Sequence, residues 1–179
     1  IGTPLDDALI FVSNALKGIG VRDKITIIAS GKIITGFDMV KKCALGADMC
    51  NSGRGMMLAL GCIQSLQCNT NACPTGVATQ DKGLYRGLVV QDKKLRIVNF
   101  HASTIESFLS LMAAMGIKNP EDLDPAHIMR RINQGVVKNY AQIYTQLAPG
   151  ALLKKEKDIT CDFKDDWLRA RADDFNGQA

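Results

Sequence analysis

Three cysteines carry the densest chemical signal in the chain: Cys62, Cys68 and Cys73, spaced Cys-x5-Cys-x4-Cys with Pro74 directly behind. Thiolates are soft ligands, suited to zinc, copper(I) or iron–sulfur clusters. Structural zinc normally takes four ligands, often in close cysteine pairs. Here three thiols stand at wider spacing with no His in the loop. Three thiolates match a cluster of three irons, one sulfur for each, and a Cys-Pro ending also occurs in bacterial ferredoxin cluster runs. Cys62 is expected on a helix, with Cys68 and Cys73 on the Asn/Thr loop behind it, where backbone N–H groups can face the cluster. The same residues also allow unligated thiols, with Cys62 filling a helix core, or a zinc ion or disulfide. Spacing alone leaves these alternatives open.

A second signal is a pair of glycine loops, Ser30-Gly31-Lys32 and Asn51-Ser52-Gly53-Arg54-Gly55. Each is expected to follow a strand and open a helix. A helix N-terminus offers unpaired N–H donors and the positive end of the helix dipole, so it receives phosphate readily. Glycine allows close backbone approach, and Arg54 adds a bidentate grip. Tight turns that bind nothing also explain the two glycines, and turn statistics favour that reading. His101 and His127 have no Asp or Ser pattern around them and read as structural or exposed. No nucleophile–base pair and no paired carboxylates are evident. Cys43, Cys50 and Cys161 lie outside the spaced triplet and read as small buried side chains.

The elements that must hold these residues are set by periodicity. Apolar Leu5, Ala8, Leu9, Val12 and Leu16 form a helical stripe, with Asp6 and Asp7 in the first turn and Gly18 and Gly20 behind it. Ile25–Ala29 reads as a short buried parallel strand, 37–45 as a helix, Ala47–Cys50 as a second strand and Met56–Ser65 as a buried third helix. This rhythm is that of βα units. Two units are too few to close an eight-stranded barrel of about 250 residues. Residues 67–77 read as a polar loop, and a short strand is expected at Leu88–Val90. A strong helix is expected over Asn99–Met115, with Phe100, Ile105, Phe108, Leu109, Met112 and Met115 buried. Further helices are expected over Pro125–Ile132, opened by Asp124-Pro125, and over Val136–Leu147. The tail from Lys154 is charged, with Trp167 and Phe175 as anchors, and is expected to be mobile.

Composition narrows the class. The 179 residues are 46% apolar and 22% charged, with a net charge of +4, close to the average of soluble globular domains. Aromatics make up 6% and no basic stripe is present, which argues against nucleic acid as a partner. No apolar run reaches the roughly 18 residues of a membrane span. Six cysteines, three of them crowded together, favour a reducing, cytoplasmic setting and a metal or cluster over a disulfide framework.

Four stretches of the chain make a family recognisable. Ser30-Gly31-Lys32-Ile33-Ile34-Thr35-Gly36-Phe37-Asp38, Ala44-Leu45-Gly46-Ala47-Asp48, Leu60-Gly61-Cys62-Ile63-Gln64 and Cys73-Pro74-Thr75-Gly76-Val77-Ala78-Thr79-Gln80-Asp81 strongly resemble the FMN-binding domain of the glutamate synthase large subunit. The closer likeness is to stand-alone FMN-binding glutamate synthase family proteins, over about residues 1–153. The resemblance implies an α/β fold: the last two βα units of a TIM (β/α)8 barrel over 1–80, a helical extension over 81–153 and a charged tail over 154–179. It implies FMN and a [3Fe–4S] cluster, and reduction of the imine of 2-oxoglutarate and ammonia to glutamate. It implies Cys62, Cys68 and Cys73 as cluster ligands, and Gly31, Gly53 and Arg54 at the FMN phosphate with Ser30 and Ser52 nearby and Lys32 as a weaker candidate. The catalytic residues, isoalloxazine contacts and substrate-binding basic residues belong to earlier barrel strands, and no glutaminase domain with an N-terminal nucleophilic cysteine is seen. The chain by itself is therefore expected to be an inactive fragment. Its partners are expected to be the remainder of the barrel, a small-molecule substrate and an electron-donor protein or reductase subunit. Two alternatives remain: a non-catalytic helical interaction module over 95–150 with idle or zinc-binding cysteines, and an FMN/iron–sulfur oxidoreductase acting on another substrate.

Overall fold

A computed structural model describes residues 2–174. It is helix-rich, with four short strands: α1 Leu5–Gly18, β1 Ile28–Ser30, α2 Gly36–Ala44, β2 Met49–Asn51, α3 Gly53–Leu60, α4 Lys82–Tyr85, α5 Val90–Ala114, β3 Met129–Asn133, β4 Val136–Asn139, α6 Tyr140–Ile143 and α7 Lys164–Arg169. β1 pairs with β2 and β3 with β4, in separate two-stranded sheets. The chain divides into two compact units that interleave in sequence. One takes in the residues up to Ala29, Lys41–Met49 and those from Glu121 onward; the other takes in Ser30–Val40 and Cys50–Pro120.

In the first unit, α1 forms where the apolar stripe predicts it, with Asp6 and Asp7 in its first turn, where carboxylates complement the helix dipole. Asn14 is 2% exposed, and its side chain is fully used. Its amide donates to the Thr145 carbonyl at 3.0 Å and its oxygen accepts the Leu147 N–H at 2.9 Å. Leu147, Leu152 and Ile159 form a buried cluster, with Ile19, Phe163 and Trp167 against it. Trp167 is thus an anchor of the tail, as expected; Phe175 lies outside the described residues. Phe11 and Phe163 stack with ring centroids 5.2 Å apart.

Several elements differ from the sequence expectation. The strand expected over Ile25–Ala29 is reduced to Ile28–Ser30 and is not buried: Ile28 is 51% exposed and only Ala29 is covered. A two-stranded sheet leaves much of its surface open. The helices expected over Pro125–Ile132 and Val136–Leu147 are instead a 3-10 turn, an antiparallel hairpin and the short α6. Gly135, with φ +85°, sits in the tight Gln134-Gly135 turn, and the β-branched Val136 and Val137 come directly after it. That combination favours a hairpin over a helix. Asp124 does cap the 3-10 turn at Pro125–His127, accepting the Ala126 N–H while His127 accepts the Asp124 N–H, so His127 serves a turn. No strand forms at Leu88–Val90. The long helix starts at Val90, nine residues before the expected Asn99, and buries Phe108 and Met112 but leaves Leu109 54% exposed. Among the described residues no helix is long and apolar enough to cross a membrane.

Candidate cofactor site

Both glycine loops and all three spaced cysteines fall in the second unit, and α5 packs against the start of the helix that follows each loop. A side-chain carbon at Gly36, the first residue of α2, would lie 2.5 Å from the Phe108 backbone nitrogen. At Gly55, in the first turn of α3, it would meet the Ser52 hydroxyl at 2.5 Å and the Phe100 ring at 3.1 Å. The starts of two helices therefore rest on one face of α5, at Phe108 and Phe100, and each approach is close enough to need glycine.

The two helix starts differ in what remains available at them. At α2, Asp38 accepts the N–H groups of Ile34 and Thr35 at 3.1 and 2.9 Å and the Thr35 hydroxyl at 2.8 Å, while Thr35 accepts the Asp38 N–H. A carboxylate already occupies the place that an anion would take. At α3 the N-cap residue Ser52 makes no side-chain cap. Its hydroxyl donates instead to the Ile33 carbonyl at 2.6 Å, which ties the first loop to the second. Gly53 is exposed with open space around it, and Arg54 is exposed beside it. An uncapped helix start with an adjacent guanidinium suits a phosphate group. Ser30, Gly31 and Lys32 are exposed. Gly31 has φ +146° and Lys32 φ +53°, and a non-glycine residue in this left-handed region stores roughly 1 kcal/mol or more of strain.

The sequence predicts α3 over Met56–Ser65; the helix begins at Gly53 and stops at Gly61, which takes the left-handed C-cap conformation at φ +105°. Met56 to Leu60 are half-buried rather than enclosed. Cys62 therefore lies just past the helix, not on it. Its N–H donates to the Met57 carbonyl and its sulfur accepts the Gln64 N–H at 3.4 Å. Gln64, Leu66 and Asn71 all have positive φ, an uncommon concentration of strained backbone. Cys68 is exposed and Cys73 is 5% exposed; neither they nor Cys62 form a disulfide.

Beyond Cys73 the loop folds back around the sulfur. The Thr75 hydroxyl lies 3.4 Å from the Cys73 sulfur. That contact and the N–H groups of Ala78, Thr75 and Val77 pull the thiol down to about 7. Gly76 lies so close to Leu84 and Tyr85 that a side-chain carbon would stand 2.5 Å from the Leu84 carbonyl oxygen. Thr79 donates to the Asn71 carbonyl at 2.6 Å, and the Gln80 N–H donates to the Asn71 side chain at 2.7 Å. Asp81 caps α4 through the Gly83 and Leu84 N–H groups. A hydroxyl at the sulfur with backbone N–H groups nearby fits a ligand thiolate, and the all-thiol donor set fits an iron–sulfur cluster. Among the described residues no three Cys, His, Asp or Glu side chains converge on a single metal ion. A cluster with one thiolate per iron asks for wider spacing than a single ion does. Thr75 and Asn71 are neighbours of the cysteine loop to which sequence reasoning gives no role, because their contacts arise from how the loop folds back.

Residues 1–118 match the family model described as a conserved region in glutamate synthase. The chain belongs to the glutamate synthase family. The matched region of this family member encloses both glycine loops, the three cysteines and α5. The chain is similar to the glutamate synthase large subunit-like protein YerD of Bacillus subtilis, 40% identical over 146 residues, covering 82% of this chain and 28% of YerD. It is similar to the archaeal glutamate synthase [NADPH] of Methanocaldococcus jannaschii, 36% identical over 123 residues, covering 69% of this chain and 24% of the relative. The ferredoxin-dependent glutamate synthase 2 of Synechocystis is 34% identical over 125 residues, covering 68% of this chain and 8% of that protein. The chain thus spans a minor part of each glutamate synthase relative.

Proposed function

We propose that this chain supplies the flavin-phosphate and cluster-binding corner of a glutamate synthase-type oxidoreductase that reduces the imine of 2-oxoglutarate and ammonia to glutamate. In this reading β1, α2, β2 and α3 are the last two βα units of a TIM barrel. When bound, FMN supplies hydride chemistry and a [3Fe–4S] cluster supplies one-electron transfer. Gly53, Arg54 and the α3 N-terminus hold the flavin phosphate, with Ser30, Gly31 and Lys32 on the facing loop. Ser52 holds the two loops together rather than touching the phosphate through its cap. Cys62, Cys68 and Cys73 ligate the cluster, and Thr75 with the backbone N–H groups near Cys73 favours the thiolate form of that sulfur. The groups that move protons and bind the keto acid come from the rest of the parent protein, so this segment alone is inactive.

The observation that carries the reading is the loop folded back on the buried Cys73 sulfur, with the Thr75 hydroxyl 3.4 Å from it, in a chain whose family is established. The test is metal, sulfide and flavin analysis of the intact parent prepared without oxygen. Iron and sulfide with FMN are expected, and Cys68→Ser is expected to lose iron while keeping flavin. Stoichiometric zinc without iron, or full iron in Cys68→Ser, would overturn the assignment.

A further inference from the structure

Two cations stand beside Gly61, the residue before the first cysteine of the triplet. Lys93 and Arg96 lie three residues apart on α5 and so share a face. The Lys93 Nζ and Arg96 Nη1 approach to 3.5 and 3.6 Å of the point where a side-chain carbon on Gly61 would sit, and Gly61 immediately precedes Cys62. The Lys93 side chain is only 17% exposed, and its neighbour Asp92, 3.5 Å away, is 61% exposed. The Lys93 charge is therefore only partly screened by water, and its counter-ion is largely in solvent.

These cations face the C-terminal end of α3, and a helix C-terminus attracts positive charge. That role accounts for their position through stability alone. The same geometry also bears on redox chemistry. Each one-electron reduction adds a negative charge to a cluster already bearing thiolates, and net charge near the cluster is one of the levers that set its potential. Positive charge near a cluster favours its reduced form.

We propose that Lys93 and Arg96 raise the reduction potential of the cluster that Cys62 helps to ligate. The inference rests on the cluster assignment above. Lys93 and Arg96 are positioning charges here; they touch neither substrate nor flavin.

The experiment uses the intact parent protein, prepared anaerobically, as wild type, as Lys93→Gln/Arg96→Gln and as the control Lys94→Gln, an exposed lysine on the same helix. Iron and sulfide are assayed, and the cluster is titrated with dithionite through mediators and followed by electron paramagnetic resonance. At the wild-type midpoint, the ratio of reduced to oxidised cluster is expected to fall by about three- to tenfold in the double variant. A tenfold fall is about 59 mV for a one-electron couple. Lys94→Gln is expected to shift the ratio little, and Lys93→Arg/Arg96→Lys to keep the wild-type potential. An unchanged midpoint at full iron content overturns the inference and leaves the cluster assignment standing, as does an equal shift in Lys94→Gln. A wild type without iron overturns both. If the double variant loses iron, Arg96→Gln alone, changed at an exposed position, decides the matter: a wild-type midpoint there overturns the proposal.

Discussion

The Ser52 hydroxyl donates to the Ile33 carbonyl at 2.6 Å, joining two glycine loops that lie nineteen residues apart in sequence. Ile33 is 3% exposed. Ser52→Ala should leave a buried carbonyl without its donor, a loss of about 1–3 kcal/mol. Urea denaturation of the chain would read this directly. In the intact parent the same change should also weaken flavin binding, because the loops would no longer be fixed to each other.

Gly53 and Gly55 should separate cleanly. Nothing lies within 4 Å of a side-chain carbon at Gly53, whereas one at Gly55 would meet Ser52 and Phe100. Gly55→Ala is expected to destabilise by about 1–3 kcal/mol through overpacking. Gly53→Ala should be neutral or stabilising by up to about 1 kcal/mol, since alanine suits a helix better than glycine. If the α3 start receives the flavin phosphate, Gly53→Ala in the parent should nonetheless raise the Kd for FMN. A stability loss at Gly53, or none at Gly55, would contradict the packing.

Asp6 gives a pH dependence. Burial alone would raise its carboxyl, but hydrogen bonds and charge from Lys41 and Lys42 outweigh that and hold it below the ordinary 3.8. A carboxyl depressed in the folded state contributes stability that is present above 3.8 and lost as pH falls through its lower folded value. Thermal melts should therefore fall in this acid range, and Asp6→Asn should reduce the fall. An identical acid profile in Asp6→Asn would show that the lysines do not act through this carboxylate.

Cys73 gives a second pH dependence, near neutrality. Its thiol is drawn from 9.0 to about 7, first by the Thr75 hydroxyl and then by backbone N–H groups. In metal-free chain the thiolate ultraviolet absorbance of Cys73, isolated by comparison with Cys73→Ser, should rise with a midpoint near 7. Folded stability from this group should grow with pH between about 7 and 9. Thr75→Val should move the midpoint upward. A midpoint unmoved by that change would remove Thr75 from the sulfur's environment.

Local chemistry is readable where it is written in adjacent residues. The α1 stripe repeats at helical period, the Asp124 side chain caps its own backbone, and the glycine loops are marked by residues that turns require. The hairpin over residues 129–139 is hidden because Met129, Arg130, Arg131, Ile132 and Asn133 are all exposed, so no buried face imprints an alternation on the sequence. The early start of α3 escapes a sequence reading because Gly53 and Gly55 discourage a helix locally, and Gly55 is needed for the approach to Phe100. The Thr75 contact escapes it for a different reason: it depends on how the loop folds back, not on spacing. The cysteine spacing picks out the right segment but puts Cys62 on a helix that Gly61 ends one residue earlier.

One rod meets the start of α2, the first turn of α3 and the residue that ends α3. Along α5, Lys93 and Arg96 lie at the cysteine end, Phe100 at one glycine and Phe108 at the other, a span of about 22 Å at 1.5 Å per residue. A helix of that length behaves as a ruler: its register fixes three distances at once. A one-residue insertion between Lys93 and Phe108 would turn the later side chains by about 100° and misalign them from the earlier ones. Length changes within this stretch should therefore be poorly tolerated, while its solvent-facing positions remain open to substitution.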